Sequence, residues 1–278
     1  MSDGTKLRVA IVGATGYTGS ELVRILHRHP GTEIVAITSE RRAGESFADV
    51  FPHFQDIVEQ RLVSADSLTD FAPELVFLAL PHGVSMDFVA RYHDAPFRII
   101  DLSGDFRLST PAVYADWYGK EHVFPHGFDT AVYGLPELHR ARIRDARLVA
   151  NPGCYPTCSI LGTLPLLEAE MIDPGQIIID AKSGTTGAGV TPKEATHYSN
   201  VSDNFRAYGL KSHRHTVEIE EQLIARGAGA RAVQFTPHLL PVDRGILATI
   251  YTRPSREVTE EEVREAYATR YANEPFVR

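Results

Sequence analysis

The sequence is poor in cysteine, with only Cys154 and Cys158 among 278 residues. That excludes a disulfide-stapled scaffold and fits a reducing compartment. No apolar run approaches the ~20 residues that span a bilayer, so no membrane partner is expected. The opening Met1-Ser2-Asp3-Gly4 has neither the basic start nor the apolar stretch of a secretion signal, and the expected location is cytoplasmic. Basic charge is in deficit, 28 Lys and Arg against 36 Asp and Glu. A nucleic-acid partner would demand a basic stripe and is not expected. Internal repeats and low-complexity tracts are also absent. What is present is a 43% hydrophobic chain, enough for one large or two medium cores, whose partner should be a small molecule or another subunit.

Residues 7–14 form an apolar run of strand length and lead into Gly13-Ala14-Thr15-Gly16-Tyr17-Thr18-Gly19. An amphipathic segment through Leu22, Val23, Ile25 and Leu26 follows, then a second strand at 33–38. G-x-x-G-x-x-G at the first turn of a β-α-β unit lets the backbone approach a pyrophosphate and points helix N–H groups at it. The spacing is common in itself, and its place between first strand and first helix carries the reading. Gly13, Thr15, Gly16, Tyr17, Thr18 and Gly19 are therefore cofactor-binding candidates. At the end of the second strand, Ser39, Arg41 and Arg42 favour the 2′-phosphate of NADP, whereas Glu40 favours a ribose hydroxyl. NADP(H) is the favoured cofactor.

Strands at 74–80 and 97–102 around a helix at 84–92 extend the alternation. The pattern predicts an α/β fold with a Rossmann-type, doubly wound parallel sheet over residues 1–148. Residues 105–138 lose periodicity and read as a long ordered connection. Over 149–278 the character changes: helices at 154–169, 216–225 and 259–271, and strands at 176–181, 232–236 and 245–252. The short polar turn at 241–245 between successive strands predicts an antiparallel or mixed sheet, hence a second, α+β domain over 149–278.

The chemistry-bearing residues lie in that half. A strand ends near Ala150, Asn151-Pro152-Gly153 breaks it, and Cys154 opens the next helix. Unpaired N–H groups and the dipole there favour a thiolate, the nucleophilic form. Cys158, one turn later, reads as a packed residue. A zinc site needs about four ligands, and no metal is expected. His213-Arg214-His215 places two imidazoles and a guanidinium before a helix, suited to moving a proton and holding an anion bidentately. Ser183, Gly184 and Gly187, within residues 182–189, predict a loop with free N–H donors for a phosphate, an oxyanion or a nicotinamide amide. A thiol beside a hydride donor can turn an activated acyl group into a thioester and then an aldehyde.

Taken with the segments at 101–108, 132–138, 150–157 and 204–209, the chain resembles the N-acetyl-gamma-glutamyl-phosphate reductase family from residue 7 to residue 278. The resemblance implies a fold like that of glyceraldehyde-3-phosphate dehydrogenase, with residues 149–278 as the catalytic and oligomerisation domain, and an acyl phosphate substrate. It also implies NADPH-dependent reduction to N-acetyl-glutamate 5-semialdehyde in arginine biosynthesis, and a homodimer or homotetramer. Cys154 would be the nucleophile, with His213 preferred over His215 for the proton, a choice the residues themselves leave open. Arg107, Arg214 and Ser183 would meet the substrate. Glu40 stands where many members carry arginine. Members also continue for several dozen residues beyond the position of Arg278, so the expectation is a chain lacking a C-terminal segment that contacts the cofactor. Three rivals remain: an aminoadipyl-phosphate reductase, a non-catalytic NADP-binding sensor, and a cysteine hydrolase that would leave the glycine loop unexplained.

Overall fold

Strand β1 (Leu7–Val12) shows how the first sheet is built. Its side chains alternate, Ala10 and Val12 entering one apolar cluster with Val76, Leu78 and Phe88, and Val9 and Ile11 another with Val23, Ile37 and Phe47. A strand buried on both faces reads as an unbroken apolar run, and a parallel sheet flanked by helices requires that. The computed structural model describes residues 6–278; the Met1–Gly4 start lies outside the described residues.

In chain order, β1 is followed by α1 (Tyr17–Leu26), β2 (Thr32–Thr38), α2 (Phe47–Val50), β3 (Leu75–Leu78), α3 (Ser85–Tyr92) and β4 (Arg98–Asp101). Next come α4 (Pro111–Tyr118), α5 (Gly127–Thr130), β5 (Ala131–Tyr133), α6 (Pro136–Asp145, kinked at His139) and β6 (Leu148–Ala150). The remainder is α7 (Cys154–Glu168), β7 (Ile172–Ser183), α8 (Tyr198–Val201), β8 (Arg206–Ala207), α9 (His215–Ile224), β9 (Val233–Leu239), β10 (Ile246–Pro254) and α10 (Glu260–Tyr271).

Two compact units result. One gathers residues 6–107, 121–134 and 141–151; the other gathers 108–120, 135–140 and 152–278. The first holds a six-stranded sheet in the order β2-β1-β3-β4-β6-β5, every pair parallel. The second holds a mixed four-stranded sheet, β10-β7-β9-β8. There β7 runs antiparallel to β10 and parallel to β9. The turn at 241–245 therefore closes no hairpin, because β7 lies between the strands it joins. The α/β fold class with a parallel Rossmann-type sheet and a second, mixed sheet stands.

The reading of residues 105–138 as a connection is corrected: they carry α4, α5, β5 and the start of α6. The hydroxyl of Thr110 caps α4 by accepting the N–H of Val113 at 3.2 Å, Pro111 fills the first turn, and Gly119 ends it at φ +66°. The α4 sequence Pro-Ala-Val-Tyr-Ala-Asp-Trp-Tyr shows no clear apolar face, and β5 is three residues long, so pattern alone missed both.

The second unit packs α7 and α9 against its sheet through Tyr155, Leu167, Ile177, Ile179, Ile219, Leu223 and Phe235. Pro165 lies inside α7 and has no N–H to give the carbonyl of Leu161, four residues back. The phenol of Tyr271 on α10 donates to that carbonyl instead, at 2.7 Å, and Tyr267 donates to Gly162. A helix interrupted by proline is thus completed by a neighbour's side chains.

At the end of β4, wholly buried Asp101 accepts the N–H and hydroxyl of Ser103 at 3.0 and 2.7 Å. Burial pushes its acid up to about 6 despite those donors, with Asp105 adding to the rise. The native state therefore binds a proton that the unfolded chain has released. Its stabilising contribution is complete below pH 3.8 and disappears as pH rises through about 6. Denaturant titrations between pH 4 and 6.5 should show stability falling by on the order of 3 kcal/mol from this group. Asp101→Asn should flatten that slope; an unchanged slope would assign it to other groups.

Candidate active site

The thiol end of the second unit begins with a glycine. Gly153 occupies the N-cap of α7 in an extended conformation, φ −64° and ψ 155°, and offers no side chain to cap the helix. Thr157 closes the first turn, its N–H and hydroxyl donating to the Gly153 carbonyl at 3.0 and 2.9 Å. Cys154 is exposed at this helix start, where N–H groups lack an intrahelical acceptor and favour an anion. The Gly153 N–H itself donates to Oε1 of Glu218 at 2.8 Å. Glu218 is 1% exposed.

Gly153 has an ordinary φ, so the backbone does not demand glycine. Its neighbours do: a Cβ there would stand 2.6 Å from Nε2 of His215 and 3.0 Å from Oε2 of Glu218. The first turn of α9, carrying both side chains, is packed against the start of α7. His215 is thereby brought beside the residue preceding the thiol.

His213 has a different setting. Its ring lies among Tyr155, Tyr208, His215 and Phe235 at centroid distances of 4.8 to 5.6 Å. Its Nδ1 accepts the backbone N–H of His215 at 3.1 Å. Burial, with the Arg214 charge second, pushes its pKa down to about 4 and keeps the ring neutral near pH 7. Tyr208 donates to the Tyr155 hydroxyl at 3.1 Å, and burial raises both phenols, so neither ionises there. Burial likewise pushes Cys158 up to about 11. Arg214, exposed at the N-cap of α9, holds its guanidinium carbon 4.7 Å above the Tyr118 ring.

The expectation of free donors in residues 182–189 is corrected at Gly184, Thr185 and Thr186. The N–H groups of Gly184, Thr185 and Thr186 donate to the carbonyls of Gly245, Val242 and Asp243, and the hydroxyls of Thr185 and Thr186 serve the last two. Ser183 is buried and donates to the Gly184 carbonyl at 2.9 Å. A Cβ on Gly184 would stand 2.6 Å from the Asp243 carbonyl oxygen, so that glycine serves loop packing. At Gly187 a Cβ would come within 3.3 Å of the Ser183 hydroxyl. The loop is latched to the turn at 241–245.

In the first unit, the three glycines of the β1–α1 turn differ. Gly13 adopts φ +85°, and a Cβ would meet the Ala79 carbonyl oxygen at 2.5 Å; Gly19 would meet the Ala14 Cα at 2.6 Å. Both are imposed by the fold. Gly16 is not: the nearest atom to its Cβ site is 3.8 Å away. It caps α1 without a side-chain hydrogen bond, with exposed Tyr17 and Thr18 opening the helix. An open, uncapped helix start fits a pyrophosphate. Thr15 and Ser39 share a hydroxyl hydrogen bond of 3.1 Å across the turn.

Glu40 turns away from a ribose-binding role. Its carboxylate accepts from the Ser64 hydroxyl at 3.0 Å and the Ala65 N–H at 2.8 Å. Arg41 is exposed, and Arg42 pairs with Glu45 at 3.0 Å on the surface. Arg107 is only 7% exposed. Its Nε donates to the Asn151 carbonyl and one Nη to that of Leu102, both at 2.7 Å. It braces the ends of β4 and β6 rather than presenting an open guanidinium as the substrate-side reading expected.

Two residues went unforeseen. Glu218 was legible as the fourth residue of H-x-x-E, one turn after His215 on the same helix face. Tyr118 had no local signal, because only the return of α4 to α9 brings it under Arg214. Among the described residues, no group of three or more His, Cys, Asp or Glu side chains could hold a metal ion. No helix there is long and apolar enough to cross a membrane.

Comparison with known proteins places the chain in a family. Residues 8–146 match a semialdehyde dehydrogenase NAD binding domain and residues 154–278 a semialdehyde dehydrogenase dimerisation domain. An N-acetyl-gamma-glutamyl-phosphate reductase from Magnetococcus marinus is 47% identical over 275 residues, covering 99% of this chain and 79% of the relative. One from Desulforudis audaxviator is 49% identical over 274 residues, covering 98% and 79%. Among solved structures, aspartate semialdehyde dehydrogenase with NADP from Candida albicans superposes with a TM-score of 0.70 at 16% identity, covering 94% of this chain and 76% of that one. At such identity the likeness speaks for the fold. With a family-wide match over nearly its whole length, the chain belongs to the N-acetyl-gamma-glutamyl-phosphate reductases.

Proposed function

We propose that the chain reduces N-acetyl-L-glutamyl 5-phosphate to N-acetyl-L-glutamate 5-semialdehyde and phosphate, with NADPH, as a step of L-arginine biosynthesis. Substrate and cofactor follow from the family; the observation that carries the mechanism is Gly153, whose missing side chain lets His215 and Glu218 abut the start of α7. The Cys154 thiolate, favoured by that helix start, attacks the acyl carbonyl. A C–S bond forms, the C–O bond to phosphate breaks, and phosphate departs with the electron pair. NADPH, when held at the α1 start, would supply the hydride for the thioester carbonyl. The C–S bond then breaks, releasing the aldehyde and restoring the thiolate.

His215 is assigned the proton at the substrate carbonyl oxygen, in place of His213. His213 is neutral and its Nδ1 is committed to the His215 backbone, which suits a positioning role. Arg214 grips an anionic group of the substrate, and Arg107 holds the chain entering the Asn151-Pro152-Gly153 turn. The α1 start with Gly13, Thr15, Gly16, Tyr17, Thr18 and Gly19 cradles the pyrophosphate. Ser39, Arg41 and Arg42 receive the 2′-phosphate, a role made easier by Glu40 being tied to Ser64 and Ala65. A cytoplasmic setting accords with an exposed thiol that must stay reduced.

The chain is further assigned to a homo-oligomer formed through the outer face of the second sheet. Along β10 exposed and half-buried residues alternate, leaving Leu247 65% and Tyr251 55% exposed. Such apolar side chains on an open sheet face suit an interface, in keeping with the dimerisation domain that this half matches.

In a phosphate-dependent assay run in reverse with NADP and the semialdehyde, Cys154→Ser should lose activity by on the order of 10³-fold or more. Retained activity would refute the thioester route. In the same assay, His215→Gln should remove the acid/base limb from the pH dependence of kcat/KM, while His213→Gln keeps that limb and lowers the rate; the reverse pattern would return the proton to His213. Sedimentation of Leu247→Glu should give monomer where the unmodified chain gives a dimer or tetramer, and identical profiles would move the interface elsewhere.

A further inference from the structure

Residues 108–120 leave the dinucleotide-type unit and join the second one, an excursion that sheet formation does not require. At its end Tyr118 stacks on Tyr114, centroids 4.5 Å apart and planes 10° from parallel. Tyr114 is 1% exposed and anchors the pair in the interior. The guanidinium of Arg214 lies on this stack, 4.7 Å from the Tyr118 centroid. The segment is fastened to the same helix a second time, Ser109 donating its N–H to Glu221 at 2.9 Å and its hydroxyl at 2.5 Å.

Arg214 sits at the N-cap of α9, the positive end of that helix, where a cation is electrostatically misplaced. The nearby Glu218 carboxylate is turned to the Gly153 N–H. A cation held at such a point on an aromatic face is stabilised by the ring quadrupole. Contact with the ring also restricts how the guanidinium can turn, which favours holding its donors in the fork that a carboxylate or phosphate accepts bidentately. An anion docked there would offset both the charge and the dipole.

We propose that Tyr118, backed by Tyr114, is a positioning residue that holds Arg214 in the orientation needed to bind an anionic group of the substrate. The inference rests on the assignment of Arg214 to substrate binding made above. Tyr118 touches no reacting atom; it acts through the arginine. The anion is the substrate carboxylate or the phosphate, and the assay separates them because in the reverse direction they belong to two different reactants.

The test measures KM for the semialdehyde and for inorganic phosphate separately in Arg214→Ala, Tyr118→Leu, Tyr118→Phe, Tyr118→Trp and the double variant Arg214→Ala/Tyr118→Leu, each with a thermal melt. Arg214→Ala should raise one of the two KM values by at least about tenfold. Tyr118→Leu should raise the same KM about threefold to fivefold with kcat nearly unchanged. Phe should restore the wild-type KM, Trp should match or improve it, and the double variant should behave as Arg214→Ala alone. Additive effects in the double variant would overturn the proposal, as would a Tyr118→Leu effect on kcat alone. Should Tyr118→Leu fail to fold, Phe and Trp variants with raised KM would overturn it by themselves. If Arg214→Ala changes neither KM, the substrate role of Arg214 falls and this inference with it; if Arg214→Ala raises KM and Tyr118 changes do not, only the inference falls.

Discussion

A single buried carboxylate, Glu218 closed on the Gly153 amide, fixes the geometry of the thiol site. Burying a polar group is costly unless it is hydrogen-bonded, and Glu218 accepts from the N-cap amide of the helix that begins with Cys154. Two helix starts are joined at one point, and His215 comes with Glu218 because both occupy the first turn of α9. Gly153 must stay small for the contact to form. Sequence logic usually attributes glycine to backbone freedom, yet at φ −64° this one is required by what crowds it.

Around that point the second unit relies on side chains to complete what its backbone leaves open. Tyr271 supplies the donor that Pro165 removed from α7, His213 accepts the N–H of His215 at the mouth of α9, and Glu221 collects both donors of Ser109. The bonds of Tyr271 and Glu221 join elements distant in the chain, and that of Tyr271 satisfies a carbonyl that its own helix leaves without a donor. The rigidity of the site therefore comes from neighbouring elements more than from α7 or α9 alone.

Much of this was legible in the sequence. The β1–α1 turn, the position of Cys154 at a helix start and the helix expected at 259–271, which is α10, follow from periodicity and punctuation, which are local. What escaped was non-local. Within residues 182–189, the expected free donors of Gly184, Thr185 and Thr186 are taken by the turn at 241–245, Arg107 donates to the carbonyls of Leu102 and Asn151, and His213 is enclosed by rings from three other parts of the chain. Glycine content predicted a loop with N–H groups but could not say which carbonyls would reach them first. Glu40 shows the converse, where a residue that argued against NADP is neutralised as an objection by two donors from Ser64 and Ala65.

The interleaving of the two units bears on how the molecule is made. Because residues 108–120 and 135–140 are translated before the rest of the second unit, they emerge from the ribosome with no surface to join. Ser109 waits 112 residues for Glu221, and Arg140 waits 134 for Glu274. Contacts of such sequence separation slow folding, since loop-closure entropy is lost before they form. During synthesis the first sheet can assemble around β1 to β4 while these segments, with their exposed tyrosines and Trp117, remain unprotected. A nascent chain of this design is most vulnerable to chaperone capture and aggregation in that interval, and neither unit can be excised as one continuous stretch of sequence.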